Sequence, residues 1–144
     1  MAIPVALKIL VCGLPGSGKT TLAKPFAELV GGVHINADIV RTSYDDWDFS
    51  LSGRIRQSLR MKHLADGVVM AGKIAVADFI APTEEARKNF NSDFTVWMDT
   101  IKEGRFDDTN AMFEYPTKCD FIVTKWDNDT PIVLKNIINA QIKL

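Results

Sequence analysis

The chain has 144 residues, of which 47% are hydrophobic and 24% charged, and its net charge is −1. That is the make-up of an ordinary globular fold large enough to bury its own core, and a single domain over 1–144 is expected. The near-neutral balance excludes a basic footprint for nonspecific nucleic-acid or membrane binding, so partners have to be sought in sites.

The opening run "MAIPVALKILVCGLPG" is broken by Pro4 and Lys8 and gives way to a glycine-rich turn. It therefore reads as neither a signal peptide nor a spanning helix, and a cytosolic chain is expected. Cys12 and Cys119 each lie in an apolar run, which suits buried thiols of a reducing compartment better than a disulfide or a metal site. Residues 6–12, "ALKILVC", are the first of five apolar runs of strand length. The others are 33–36, 73–81, 94–99 and 119–125.

Directly after the first strand comes "GLPGSGKT", Gly13 to Thr20, a full match to G-x-x-x-x-G-K-[ST] between a strand and a helix. In such a loop Gly13, Gly16 and Gly18 let the backbone amides curl around a phosphate, with Leu14, Pro15 and Ser17 completing the nucleotide-binding turn, and the helix N-terminus with Thr21 adds its partial positive charge. Lys19 reaches the terminal phosphates, and the Thr20 hydroxyl is placed to bind Mg²⁺. A nucleoside triphosphate such as ATP is the expected ligand. The helix that follows spans 19–30 with Pro25 inside it, where a lost hydrogen bond predicts a bend or a local break.

The second strand runs into "INADIVR", placing Asp38 at the carboxyl edge of the sheet, with Arg41 three residues on and on the same side if a helix begins there. Two readings stand side by side. Asp38 orients an attacking hydroxyl and helps hold Mg²⁺ while Arg41 binds an anionic acceptor, or Asp38 caps a helix and Arg41 is solvated. The next helix is expected over 52–71, with Ile55, Leu59, Met61, Leu64, Ala65 and Val68 as its apolar stripe. Arg54 sits at its start, where a cation opposes the helix dipole, a hint that it faces an anion. His63 reads as a solvated surface residue.

Asp78 falls inside the third strand, where a Walker-B-type role, an outer magnesium role and a satisfied buried carboxylate all compete. Thr83 with Glu84 and Glu85 marks a helix start, as does Thr130 before Pro131. Between the fourth and fifth strands, "EGRFDDTNAMFEYP" shows no helical or strand period. Strand and helix alternate throughout, which implies right-handed crossovers and an α/β fold of three layers, helices covering both faces of a five-stranded parallel sheet.

In order, "GLPGSGKT", "NADIVR", "DFSLSGR", "DFIAPTEEAR" and "RFDDTNAMFEYP" resemble the motifs of adenylylsulfate (APS) kinases, P-loop enzymes that move the γ-phosphate of ATP to the 3′-hydroxyl of adenosine 5′-phosphosulfate. The resemblance reaches to about Thr124 and implies the strand order 2-3-1-4-5. It matches Asp38 and Arg41 to the later Asp and the Arg of D-G-D-x-x-R, and Phe49, Ser50 and Arg54 to G-F-S-x-x-D-R-x-x-N. It implies that Lys19 and Asp38 are catalytic and that Thr20 and Asp38 hold the metal. Arg41, Phe49, Arg54 and Phe106 would bind the acceptor, with Phe49 and Phe106 stacking on its adenine. Phe113 reads better as a loop anchor.

The departures matter too. Asn36, Ala37, Gly53, Gln57, Ala81 and Glu84 stand where the family has Asp, Gly, Asp, Asn, Ser and Arg. The basic lid segment that follows the family's fourth strand is missing, leaving Lys102 and Arg105 to supply positive charge. The expected function is thus Mg-ATP-dependent phosphoryl transfer to a hydroxyl of a small, anionic, nucleotide-like acceptor, with APS foremost. The alternatives are a kinase for another acceptor, such as a sugar, a polynucleotide end or a modified nucleoside, and a nucleotide-binding module with little turnover.

Overall fold

The computed structural model describes residues 5–104 and 107–141. Five strands, β1 (Lys8–Gly13), β2 (Val33–Asn36), β3 (Ala75–Asp78), β4 (Phe94–Met98) and β5 (Phe121–Val123), pair in parallel in the order β2-β3-β1-β4-β5. Burial explains the order. Every residue of β1 and β3 is buried, as a strand covered on both faces must be, whereas β2 and β5 at the rims are only partly buried.

Between the strands lie α1 (Lys19–Val30), α2 (Ala37–Tyr44), α3 (Leu51–Met70), α4 (Glu84–Phe90) and α5 (Asp107–Met112), and α6 (Thr130–Gln141) follows β5. Successive residues of β1 serve opposite faces of the sheet. Ile9 and Val11 join Leu22, Phe26, Val76, Val96, Leu134 and Ile138 in the core shared with α1 and α6. Leu10 and Cys12 join Val40, Met61, Ala65, Ala77 and Phe90 in the core on the other side, under α2, α3 and α4. The expected three-layer arrangement is what forms.

Four details differ from the sequence reading. α1 runs unbroken through Pro25; that residue is exposed, so the Thr21 carbonyl it leaves without an amide partner is open to water. The buried stripe of α3 is Gly53, Gln57, Met61 and Ala65, whereas Ile55 is 54% exposed and Leu59 and Leu64 are exposed as well. The helix turns its i, i+4 row of small or slim residues inward because α2 and the 45–50 loop lie close. A Cβ on Gly53 would sit 2.2 Å from the Asp48 carbonyl oxygen. Third, Asp78 ends β3 rather than lying within it: the chain leaves the sheet through Ala81, at φ 44°, and Pro82. Fourth, the stretch read as patternless contains α5, whose six residues are too few to display a helical period twice.

Candidate active site

The phosphate loop bridges β1 and α1 at the carboxyl edge of the sheet, where open α/β sheets bind their ligands. Gly13, at φ 151°, packs so closely on β4 that a Cβ would lie 2.8 Å from both the Met98 carbonyl oxygen and Ser17 Oγ. Gly18, at φ 95°, is the N-cap of α1 and supplies no side-chain cap, so the first amides of the helix point outward without a side-chain acceptor. That is the condition for an anion to take them. Lys19 Nζ rests 3.0 Å from the Leu14 carbonyl oxygen, folded over the loop. Leu14 and Ser17 are buried and shape the turn, whereas Pro15, Gly16, Gly18, Lys19, Thr20 and Thr21 face a cleft of about 910 Å³.

The same cleft receives Asp38, Arg41, Phe49 and Arg54, so residues read as the acceptor side and those read as the phosphate side share one space. Asp38 lies exposed in the first turn of α2. It does not cap that helix: the N-cap is Asn36, whose Oδ1 accepts the Ile39 amide at 3.0 Å. Arg41 is 5% exposed rather than solvated. Its Nη1 donates to the Asp46 carbonyl at 2.9 Å and the Asp48 carbonyl at 3.3 Å, and its guanidinium lies 4.3 Å from the Phe49 ring centroid. Burial pulls its pKa below the usual guanidinium value. Much of its hydrogen-bonding capacity therefore holds the 45–50 loop.

Arg54 donates through Nε to the Phe49 carbonyl at 2.8 Å and through Nη2 to Thr109 Oγ1 at 3.2 Å, tying α3 to the loop and to α5. The loop is secured further by Asp46, whose carboxylate meets Arg56 Nε at 2.7 Å and Arg60 Nη2 at 2.8 Å. The Arg56 hydrogen bond, first among its causes, holds the Asp46 carboxyl well below the usual carboxylate range. Asp48, hydrogen-bonded by Ser50 and Arg56, is lowered in the same way.

Several lining residues escaped the sequence reading. Trp47, 50% exposed, adds an aromatic beside Phe49, and Leu51 and Ile55 extend this apolar wall. Gln57 donates to the Ala37 carbonyl at 3.0 Å while its Oε1 is buried without a partner. The carboxylate that meets the Thr20 hydroxyl, at 3.2 Å, is Asp78 rather than Asp38. Asp78 also accepts from Asn36 and His34, and a signal for that cluster existed: His34 and Asn36, two apart on a strand, must share a face.

The 99–117 segment is short but well tied. Thr100 Oγ1 donates to the Ser17 carbonyl at 2.6 Å, and the Asn110 side chain bonds both the amide and the carbonyl of Gly104. Lys102 pairs with Asp99; Arg105 and the expected stacking residue Phe106 lie outside the described residues. Phe113 and Tyr115 pack edge to face, and Tyr115 leans on Trp97. Glu84 stays out of the cleft lining. Its carboxylate accepts from the Thr117 amide and Arg87, which together lower its pKa, so the charge reversal braces the 113–117 segment.

A group of three His, Cys, Asp or Glu side chains able to cage a metal does not occur among the described residues, nor does a helix long and apolar enough to cross a membrane. Magnesium needs no such cage, because it binds through one or two carboxylates, water and the phosphates of its nucleotide. Thr20, Asp78 and Asp38 around one cleft fit that mode of binding.

Comparison with known proteins bears on the family and the fold. The family model for adenylylsulphate kinase matches residues 5–101, a span that ends just past β4. A probable adenylyl-sulfate kinase of Aeropyrum pernix is 31% identical over 91 residues, which is 59% of this chain and 50% of that protein, so the chain spans about half the length of the curated relative it matches. Among solved structures, the Mycobacterium tuberculosis APS kinase in complex with AMPPNP and APS superimposes with a TM-score of 0.76 at 17% identity, covering 94% of this chain and 99% of that one. Shikimate kinase of Acinetobacter baumannii superimposes with a TM-score of 0.68 at 16% identity over 97% of each, so the fold is shared beyond one acceptor. With more than half of its length matched by the family model, the chain belongs to the adenylylsulphate kinase family.

Proposed function

We propose that this cleft transfers the γ-phosphate of ATP to a hydroxyl of a small, anionic, nucleotide-like acceptor, and that APS is the acceptor to test first. One observation carries the reading: the uncapped, lysine-bearing phosphate loop and the Asp38, Phe49 and Arg54 set face each other across a single cleft. The relative solved with AMPPNP and APS bound shares the fold, which supports the same pairing of ligands here.

In this scheme the first amides of α1 hold the phosphates, and Lys19 leaves the Leu14 carbonyl to neutralise their terminal oxygens. Thr20 and Asp38 would hold a magnesium ion, which would offset charge on the β and γ phosphates. Asp38 aligns the acceptor hydroxyl for in-line attack, and Phe49 with Phe106 stacks the acceptor base. Arg54, close to the Phe49 ring and lining the cleft, favours an acceptor with negative charge.

The test is ADP release from Mg-ATP in the presence of APS, compared with shikimate, sugars, nucleosides and polynucleotide ends. APS-dependent release that collapses in Asp38→Asn supports the reading. Full turnover in Asp38→Asn, or release only with another acceptor, contradicts the part concerned. The compact tie between Thr100 and the phosphate loop, with eight residues separating β4 from α5, favours a second reading, a nucleotide-binding module with little turnover. It predicts calorimetric ATP binding without acceptor-stimulated release.

A further inference from the structure

Asp78 closes β3 at 2% exposure, in register with Val11 of β1 on one side and Asn36 of β2 on the other. Burying a carboxylate is costly unless donors surround it. Here Oδ1 accepts the Thr20 hydroxyl and Asn36 Nδ2, each at 3.2 Å, and Oδ2 accepts Nε2 of His34. His34 reaches it because it shares a face of β2 with Asn36, while Ile35 between them goes into the core. Asn36 also donates to Thr20 Oγ1 at 3.1 Å, so the amide, the hydroxyl and the carboxylate form a closed triangle beside the phosphate loop.

Asn36 occupies the position where the resemblance places a carboxylate, the first Asp of D-G-D. Its neighbour across the sheet is Asp78. We propose that the fixed negative charge on the metal side of the phosphate loop has moved one strand over, from position 36 to Asp78, and that His34 is the positioning residue that holds it there. By donating to Oδ2, His34 turns Oδ1 toward the Thr20 hydroxyl and fixes the lone pairs with which that hydroxyl meets a cation. Residues behind a metal's direct ligands typically shift its affinity by about 10- to 100-fold. This inference rests on the Mg-ATP reading above.

The experiment uses the whole chain, Mn²⁺ as the metal and AMPPNP as the nucleotide. Free and bound Mn²⁺ are counted by electron paramagnetic resonance, and AMPPNP binding in EDTA is measured separately. Asp78→Asn and His34→Ala are expected to weaken Mn²⁺ binding by about 10- to 100-fold with metal-free nucleotide affinity unchanged. His34→Gln, which keeps an N–H donor, recovers most of the loss. The double variant Asn36→Asp/Asp78→Asn, which returns the carboxylate to β2, restores the affinity, a rescue that a purely structural role for Asp78 would not give.

Wild-type Mn²⁺ affinity in Asp78→Asn, or a double variant as weak as Asp78→Asn, overturns the inference while leaving ATP binding in place. Absence of AMPPNP binding by the unsubstituted chain overturns the Mg-ATP reading and this inference with it. If Asp78→Asn alone does not fold, the double variant and His34→Ala decide. Unchanged Mn²⁺ affinity in folded His34→Ala then ends the positioning role.

Discussion

Arg87 is the residue whose loss should be felt furthest from its own position. Its Nη1 donates to the Ala81 carbonyl at 2.6 Å, and Nη2 donates to the Glu114 carbonyl at 2.7 Å and to Glu84 Oε1 at 3.0 Å. One buried guanidinium thus joins the turn after β3, the helix α4 and the segment that follows α5. Ala81 is held at φ 44°, a conformation that a non-glycine residue keeps only when its surroundings impose it. Arg87→Met keeps the volume and removes all three bonds. Hydrogen bonds from a charged donor contribute about 1.5–3 kcal/mol each, so the two carbonyl bonds together come to roughly 3–6 kcal/mol. The Glu84 pair, with its carboxylate side chain 45% exposed, adds at most about 1 kcal/mol.

Against this, Arg87 Nε is buried without a partner, and removing that unsatisfied donor returns about 1–3 kcal/mol. The net expectation is a loss of about 3 kcal/mol, or roughly 10 °C in Tm for a chain of this size. Urea unfolding followed by tryptophan fluorescence and by circular dichroism measures it. A loss below about 1 kcal/mol would contradict this role for Arg87, since it would mean that the stranded carbonyls find water or new partners freely.

Three further outcomes are expected. Gly13→Ala forces a Cβ against the Met98 carbonyl and Ser17 Oγ, and an overpacking loss of roughly 1–3 kcal/mol is expected together with weaker nucleotide binding; wild-type urea midpoints and calorimetric affinity would contradict it. Cys12, fully buried with its thiol pushed up to about 12 by desolvation, should stay unlabelled by a disulfide reagent at neutral pH in a Cys119→Ser background until the chain unfolds. Asp46, Asp48, Glu84 and Asp66, the last hydrogen-bonded by Lys62 and Lys8, all have folded pKa values lowered from ordinary values of 3.8, 3.8, 4.5 and 3.8. Lowered carboxylates contribute fully above their unfolded pKa and lose that contribution as pH falls through the folded one. Urea midpoints should therefore be flat above about pH 5 and fall steadily below about pH 4.5, and constant midpoints down to about pH 3 would contradict the assignment.

What the sequence revealed tracks how local the responsible physics is. The phosphate loop was legible because its glycines, lysine and threonine act through backbone geometry fixed within eight residues. The sheet order followed from the resemblance, and the core strands from unbroken apolar runs. Residues whose roles depend on a neighbour far along the chain were harder. Asp78 looked embedded in a strand because "VADFIA" stays apolar past it, and only the positive φ of Ala81 and the following Pro82 show where pairing stops. Arg41 carried the right charge for an acceptor, but its burial under the 45–50 loop depends on Gly53 admitting the Asp48 backbone. Of the expected stripe of α3, Met61 and Ala65 are buried and Val68 packs on the core, but Ile55, Leu59 and Leu64 are not, and Gly53 and Gln57 were passed over because they are not apolar; what selects them is closeness of approach, not hydropathy. Phe113 was read as an anchor, and its packing against Tyr115 and the Arg87 guanidinium agrees.

In the proposed function one cleft holds ATP and its acceptor with Asp38 between them. A crystal structure of the chain with AMPPNP, magnesium and APS tests it most directly. The triphosphate is expected on the α1 amides and Lys19, with the acceptor's 3′-hydroxyl between Asp38 and the γ-phosphate and its adenine against Phe49. An acceptor bound away from Asp38, or a nucleotide that leaves the phosphate loop empty, would contradict it.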